Sequence, residues 1–336
     1  MDSLEAQSAA TGATPTAEHE AGEPLQLRIV RVTREAESVI SVELARHNGG
    51  LLPPWQPGAH VETLLPSGRV RHYSLCGDPD RLTSYRLAVL RESGGRGGSI
   101  EVHDIAHGGG TLHITPPRNR FPLHEAPRYL FLAGGIGVTP LLPMVAVAER
   151  RGRPWRLVYG GRSRASMAFI PELTDRRGGM LELLPQDEHG HPPVATLLST
   201  LEPDTAIYAC GPAAMLAAIE TAAQRLGVCE RLHVERFAAA AARETAANQA
   251  FDVVLRRSGR TVHVAAGRTL GSVLQDEGAD VTFSCEEGCC GTCETRVLGG
   301  VPDHRDCVLT AEEKAKNDRM MVCVGRSLSP TLVLDA

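Results

Sequence analysis

Between residues 25 and 115, apolar and polar positions alternate in short runs. Leu27-Arg28-Ile29-Val30-Arg31-Val32, residues 39–44, residues 60–64 and residues 85–90 all read this way, with Pro53-Pro54 and Pro66-Ser67-Gly68 between them. Alternation marks strands with one face in a core, and close turn residues between such strands predict a small antiparallel barrel. After Pro116-Pro117 the period changes. Arg128-Tyr129-Leu130-Phe131-Leu132-Ala133 is an apolar strand running into Gly134-Gly135-Ile136-Gly137, and Leu141, Leu142, Val145 and Ala148 then recur at helical spacing. Further strands are expected at 156–159, 180–184, 205–209 and 231–234, with a helix over 213–226. Alternating strands and helices predict an α/β unit with a parallel sheet. The pattern divides the chain into a disordered tail (1–24), a barrel (25–122), the α/β unit (123–237), a polar Ala-rich linker (238–250) and a third unit (251–336) of strands, a short helix and a cysteine loop.

Charge narrows the picture. A formal net charge of −5 and a pI near 6.2 give no support for nucleic-acid binding. No apolar run is long enough to span a bilayer. The first residues have neither a basic start nor an apolar centre, so no signal peptide is read there and a cytoplasmic protein is expected.

Candidate chemistry is densest in Ser284-Cys285-Glu286-Glu287-Gly288-Cys289-Cys290-Gly291-Thr292-Cys293, with Cys323 well downstream. Four intervening residues, then two, then a long gap is the plant-type spacing of thiolates around a [2Fe–2S] cluster. Gly288 and Gly291 allow the torsions that turn loop amides toward the sulfurs. Zinc sites use paired Cys-x-x-Cys units, which the first gap does not match, and a disulfide scaffold would be shorter and richer in cysteine. Cys285, Cys290, Cys293 and Cys323 are therefore the expected ligands. Cys289 is out of register, and Cys76, Cys210, Cys229 and Cys307 read as buried small apolar residues.

Arg71-His72-Tyr73-Ser74 on a barrel strand has two readings. It is either an ordinary alternating edge or a site for a planar phosphorylated ligand, with a ring to stack, a hydroxyl to bond and a cation for phosphate. The Gly-rich turn over 94–100, with Gly98 and Ser99, is either a flexible loop or a phosphate cradle at a helix start. Gly134-Gly135-Ile136-Gly137-Val138-Thr139-Pro140 and Cys210-Gly211-Pro212 each end a strand and open a helix. Singly they are βα turns; together they make a crevice of the kind in which parallel sheets bind nucleotides.

In this order the motifs resemble the phthalate dioxygenase reductase family, including its vanillate O-demethylase reductases, from about residue 25 to the C-terminus. The stretch Pro117-Arg118-Asn119-Arg120-Phe121-Pro122-Leu123 shares in the likeness. The resemblance implies an FMN-binding antiparallel β-barrel, an NAD-binding α/β domain and an α+β (β-grasp) ferredoxin domain. By the same resemblance Arg71, Tyr73 and Ser74 hold FMN, with Gly98 and Ser99 at its phosphate. Gly135, Gly137, Thr139, Cys210 and Pro212 line the nicotinamide nucleotide, with Cys210 near the point of hydride transfer. Phe237 either covers the flavin or packs in the core. The implied activity is that of a monomeric NAD(P)H-dependent reductase passing electrons through FMN to the cluster and on, in a transient encounter, to a terminal Rieske oxygenase. A cytochrome or diiron oxygenase as acceptor, or a non-catalytic electron-carrier or redox-sensing protein, are the other readings. NADH is the family's habit, yet Gly160-Gly161-Arg162-Ser163-Arg164 offers arginines for the 2′-phosphate of NADPH. Glu286 and Glu287 form an acidic spot that either steers docking or is merely solvated.

Overall fold

The computed structural model describes residues 23–95, 97–237, 248–286 and 288–336. Most of the expected tail and linker, together with Arg96 and Glu287, lie outside them. The alternating region forms β1 (Leu25–Ala36), β2 (Val39–Ala45), β3 (Ala59–Leu64), β4 (Val70–Ser74), β5 (Tyr85–Leu90), α1 (Gly98–Ile105), β6 (Thr111–Ile114) and β7 (Arg118–Asn119). The sheet runs β4-β3-β6-β1-β2-β5, with β7 on β3, and every pairing is antiparallel. A bridge between Leu75 and Leu87 brings β4 round to β5 and closes the barrel. Leu27, Ile29, Val42, Leu44, Val61, Leu75, Tyr85 and Leu112 fill it, each contributing roughly 1.5–3 kcal/mol by burial.

The second unit contains β8 (Arg128–Gly134), α2 (Leu141–Arg150), β9 (Trp155–Gly161), α3 (Ile170–Thr174), β10 (Met180–Pro185), α4 (Gln186–His189), α5 (Val194–Ser199), β11 (Thr205–Cys210), α6 (Ala213–Leu226) and β12 (Leu232–Glu235). All its strand pairs are parallel, in the order β10-β9-β8-β11-β12. Central β8 is buried along almost its whole length, as a strand with helices over both sheet faces must be. Arg231, expected in the last strand, instead ends a 3₁₀ turn over Cys229–Arg231. Gly227 closes α6 at φ 67° and turns the chain before it can extend.

The third unit has β13 (Phe251–Leu255), β14 (Arg260–Val264), α7 (Leu270–Asp276), β15 (Glu294–Gly299), β16 (Pro302–Asp303), α8 (Ala311–Lys316), β17 (Arg319–Met321), β18 (Arg326–Ser327) and β19 (Thr331–Leu334). Its main sheet runs β14-β13-β19-β15-β17, with β13 and β19 parallel and the other neighbours antiparallel. Leu270, Val273 and Leu274 of α7 pack on Val253, Leu255, Leu332 and Leu334 of the sheet. The cysteine loop lies between α7 and β15. Its torsions follow its glycines, with Gly288 at φ 69° and Gly291 at φ 74°, and Glu286 is also left-handed at φ 53°.

Candidate functional site

The strand order of the parallel sheet reverses between β8 and β11, and both strands end there in glycine turns. Register places Cys210 beside Ala133 on one side and Glu235 on the other. The turns touch. A Cβ at Gly137 would collide with the Cys210 carbonyl, and one at Gly134 would lie 2.6 Å from the Pro212 ring. Only glycine lets the two backbones approach so closely. Gly135 takes φ +54° with open space where a side chain would stand. Thr139 is buried and donates its hydroxyl to the Ile136 carbonyl at 3.0 Å, so it braces the turn from inside. Pro212 is exposed at the crevice.

Burial dominates the chemistry behind this crevice. Cys210 is fully enclosed, and burial, with the nearby Glu235, pushes its thiol well up. Burial alone raises Glu235 to about 8. One Glu235 carboxyl oxygen is buried with no hydrogen-bond partner among the described residues. Two residues later, Phe237 is 39% exposed, which removes core packing as its reading.

On the barrel, β4 carries Arg71, Tyr73 and Ser74. The Ser74 hydroxyl is buried and has no partner among the described residues. A Cβ at Gly98 would meet the Arg71 guanidinium, so the start of α1 lies directly against that cation. Gly97, at φ 82°, turns the chain into α1. The Ser99 hydroxyl accepts from the Glu92 amide at 3.1 Å and draws the Gly-rich turn closed.

β4 also reaches the cysteine loop. His72 Nε2 lies 3.0 Å from Ser284 Oγ, and the His72 ring shares a tight cluster with Cys285 and Cys290. Arg120 lies over Gly291 from the other side, 3.1 Å in Nη2 from where a Cβ would stand. His60, whose ring centroid is 5.4 Å from that of His72, is driven down to about 3 by burial and by the charges of His72, Arg120 and Arg118.

The four expected ligands are buried and pair two by two. Cys290 is held far below the usual thiol range, foremost by a hydrogen bond with Cys285 and further by His72 and Thr292. Cys293 is likewise lowered by Cys323, whose own thiol rises through the same contact. Two pairs of convergent buried sulfurs are a donor set for two irons. The orphaned Ser74 hydroxyl and the glycine-lined crevice suit a polar planar group and a dinucleotide. The residues therefore fit all three groups.

The structure also brings together residues that sequence reading kept apart. Cys307 lies against Cys289, and both are only half-buried, while Cys229 is exposed. The expectation that Cys229 and Cys307 are core residues fails, since Cys229 stands on the 3₁₀ turn before β12 and Cys307 on the loop before α8. No spacing rule pointed to His72 or Glu235, because their partners are distant in sequence or supplied by burial. Arg164 pairs with Glu188 of α4 at 3.1 Å.

Comparison with known proteins agrees with this arrangement. Residues 253–327 match the 2Fe-2S iron-sulfur cluster binding domain. The chain is 40% identical over 307 residues to a vanillate O-demethylase oxidoreductase of Pseudomonas sp. (strain HR199 / DSM 7063), covering 89% of this chain and 96% of the relative. It matches a solved phthalate dioxygenase reductase, described as a modular structure for electron transfer from pyridine nucleotides to [2Fe–2S], at 36% identity and a TM-score of 0.73, covering 93% and 98% of the two chains. It also matches an intact type IV self-sufficient cytochrome P450 monooxygenase at 37% identity and a TM-score of 0.78, over 93% of this chain but only 41% of that longer one. Among the described residues no helix is long and apolar enough to cross a membrane. A barrel, a parallel sheet with a switch-point crevice and a cysteine loop in contact with the barrel thus agree with these likenesses, and the chain belongs to the phthalate dioxygenase reductase family, as an oxidoreductase with a 2Fe-2S cluster binding domain.

Proposed function

We propose that the chain is the reductase component of a two-component Rieske-type aromatic oxygenase or demethylase, taking electrons from NADH and delivering them through its cluster. The observation that carries this reading is the contact between β4 and the cysteine loop at His72 and Ser284. It joins the strand of the proposed flavin site directly to the proposed metal site. When bound, FMN takes two electrons as a hydride and yields them singly, which matches a two-electron donor to a one-electron cluster. In this reading Arg71, Tyr73, Ser74, Gly98 and Ser99 hold FMN, and Phe237 covers it. Gly135, Gly137, Cys210 and Pro212 line the nucleotide, with Thr139 bracing its turn. Cys285, Cys290, Cys293 and Cys323 hold the irons. No side chain is required as general acid or base.

NADH is the family's habit, and of the two arginines read as partners for a 2′-phosphate, Arg164 already pairs with Glu188 at the surface. Energetics support a Rieske acceptor. Plant-type clusters lie near ~−400 mV and Rieske centres from ~−150 mV upward, a drop worth roughly 6 kcal/mol for one electron. The P450 likeness favours a second reading, supply of electrons to a haem monooxygenase. Purified protein should show flavin bands and broad cluster bands, both bleached by NADH under anaerobic conditions. A colourless or zinc-loaded protein would sink both readings. Turnover with a purified Rieske oxygenase, but not with a P450, separates them.

A further inference from the structure

Apart from the four proposed iron ligands, the chain has five cysteines. Cys76 and Cys210 are buried singly, and Cys229 stands exposed on its turn. Cys289 and Cys307 meet. The Cys307 thiol donates to the Cys289 sulfur at 2.8 Å and approaches the Gly288 carbonyl at 3.4 Å. The Cys307 amide donates to that same carbonyl at 3.0 Å. One backbone hydrogen bond therefore sets the two segments side by side, the arrangement that brings neighbouring Cβ atoms within disulfide range.

Both partners are held in place. The carboxylate of buried Asp306 accepts from the amides of Val308 and Leu309 at 3.1 and 2.8 Å, and Lys314 donates to the Asp306 carbonyl at 2.6 Å. These bonds pin the segment that carries Cys307. Cys289 lies between Gly288 and Cys290, within the loop whose course the proposed ligands set. Both residues are half-buried, not enclosed in the core. The sulfurs lie close enough to bond with little backbone movement.

We propose that Cys289 and Cys307 form an oxidative modification site, a dithiol that closes to a disulfide with hydrogen peroxide and reopens with low-molecular-weight thiols. One thiolate attacks peroxide, so that an S–O bond forms, the O–O bond breaks and the departing hydroxide is protonated to water. The second sulfur attacks the sulfenic sulfur, the S–S bond forms, the S–O bond breaks, and hydroxide leaves with the thiol proton as a second water. Two thiols and one peroxide thus give one disulfide and two waters. Two equivalents of glutathione reverse the change by exchange and leave as oxidised glutathione. The bond ties the cysteine loop to the pinned segment across 18 residues of chain.

Holoprotein treated with stoichiometric hydrogen peroxide, then blocked with N-ethylmaleimide, digested and mass-mapped, tests this. A cross-linked peptide pair containing Cys289 and Cys307 is expected, lighter by two hydrogens than the separate peptides. Cluster absorbance should be unchanged at that dose, and glutathione should restore alkylation of both residues. Cys307→Ser and Cys289→Ser variants should give no cross-link. If the two thiols remain fully alkylated after the peroxide is consumed, the proposal is overturned. Linkage of Cys289 to a proposed iron ligand, or advance to sulfinic acid without cross-linking, overturns it equally. The wild-type map decides even if a variant fails to fold.

Discussion

Two buried polar groups make the residue scale informative. The Ser74 hydroxyl has no partner among the described residues, and such a group costs about 1–3 kcal/mol unless something bonds it. If FMN is what bonds it, Ser74→Ala should raise the FMN dissociation constant about fivefold, the worth of one ordinary hydrogen bond. The apoprotein should melt no lower than wild type. Fluorescence titration of apoprotein with FMN and a melting curve check the two halves, and loss of apoprotein stability without a change in affinity would make Ser74 structural. Glu235 makes a pH prediction. Burial lifts it to about 8 from the ordinary glutamate value of 4.5, so between these values the folded state holds a proton that the unfolded state has released. Stability should therefore fall as pH rises through that window, by about 1.4 kcal/mol per unit, and level off above it. Glu235→Gln should abolish that slope. The gap between variant and wild-type unfolding midpoints should widen from pH 5 to 8 and then stay constant.

At the scale of elements, the paired turns after β8 and β11 act as one part. Ala at position 137 would set a methyl against the Cys210 carbonyl and lie 2.7 Å from the Gly211 amide nitrogen. Overpacking of this kind costs about 1–3 kcal/mol, so Gly137→Ala should raise the KM for NADH by roughly tenfold while FMN stays bound. Steady-state kinetics and the flavin content of the purified variant decide it. Strand β4 makes a second prediction, because its neighbouring residues face both proposed redox sites. His72→Ala removes the 3.0 Å contact with Ser284. Stopped-flow reduction of the flavin band by NADH should keep its rate, while bleaching of the cluster band slows. Equal slowing of both would place His72 in the flavin site alone. These elements differ in how far sequence alone exposes them. The β8 and β11 turns were readable because strand, glycines and helix follow one another locally. The cysteine spacing was readable because a loop around two irons is itself local. The His72–Ser284 contact spans 212 residues, and the Cys289–Cys307 contact joins positions that no motif relates. The first depends on how separate units dock and the second on how two loops of one unit fold together, which neither alternation nor helical period encodes. Glu235 is an unremarkable carboxylate in sequence and becomes distinctive only because the fold encloses one of its carboxyl oxygens without a partner among the described residues.

For the whole molecule, the proposed function gives the units a direction for electrons, and one substitution should cut it. Cys290→Ser replaces a proposed iron ligand that pairs with Cys285 and touches His72 of β4, and it leaves the crevice untouched. A small anion such as ferricyanide accepts electrons at a flavin edge, whereas cytochrome c, a one-electron protein acceptor, reports delivery from the cluster. The variant should keep NADH-driven ferricyanide reduction within about twofold and lose at least about tenfold in cytochrome c reduction, the loss of roughly 1.4 kcal/mol or more of transition-state access. Collapse of both activities has a structural meaning here. The cysteine loop leans on β4 through Ser284 and on the 117–123 stretch through Arg120 over Gly291. A loop that unfolds without its metal could pull β4 out of place. Flavin content separates the two causes: an intact FMN complement with no ferricyanide activity would show that electrons do not pass from flavin to cluster in the proposed order, whereas loss of FMN would show that the metal loop helps to build the flavin site.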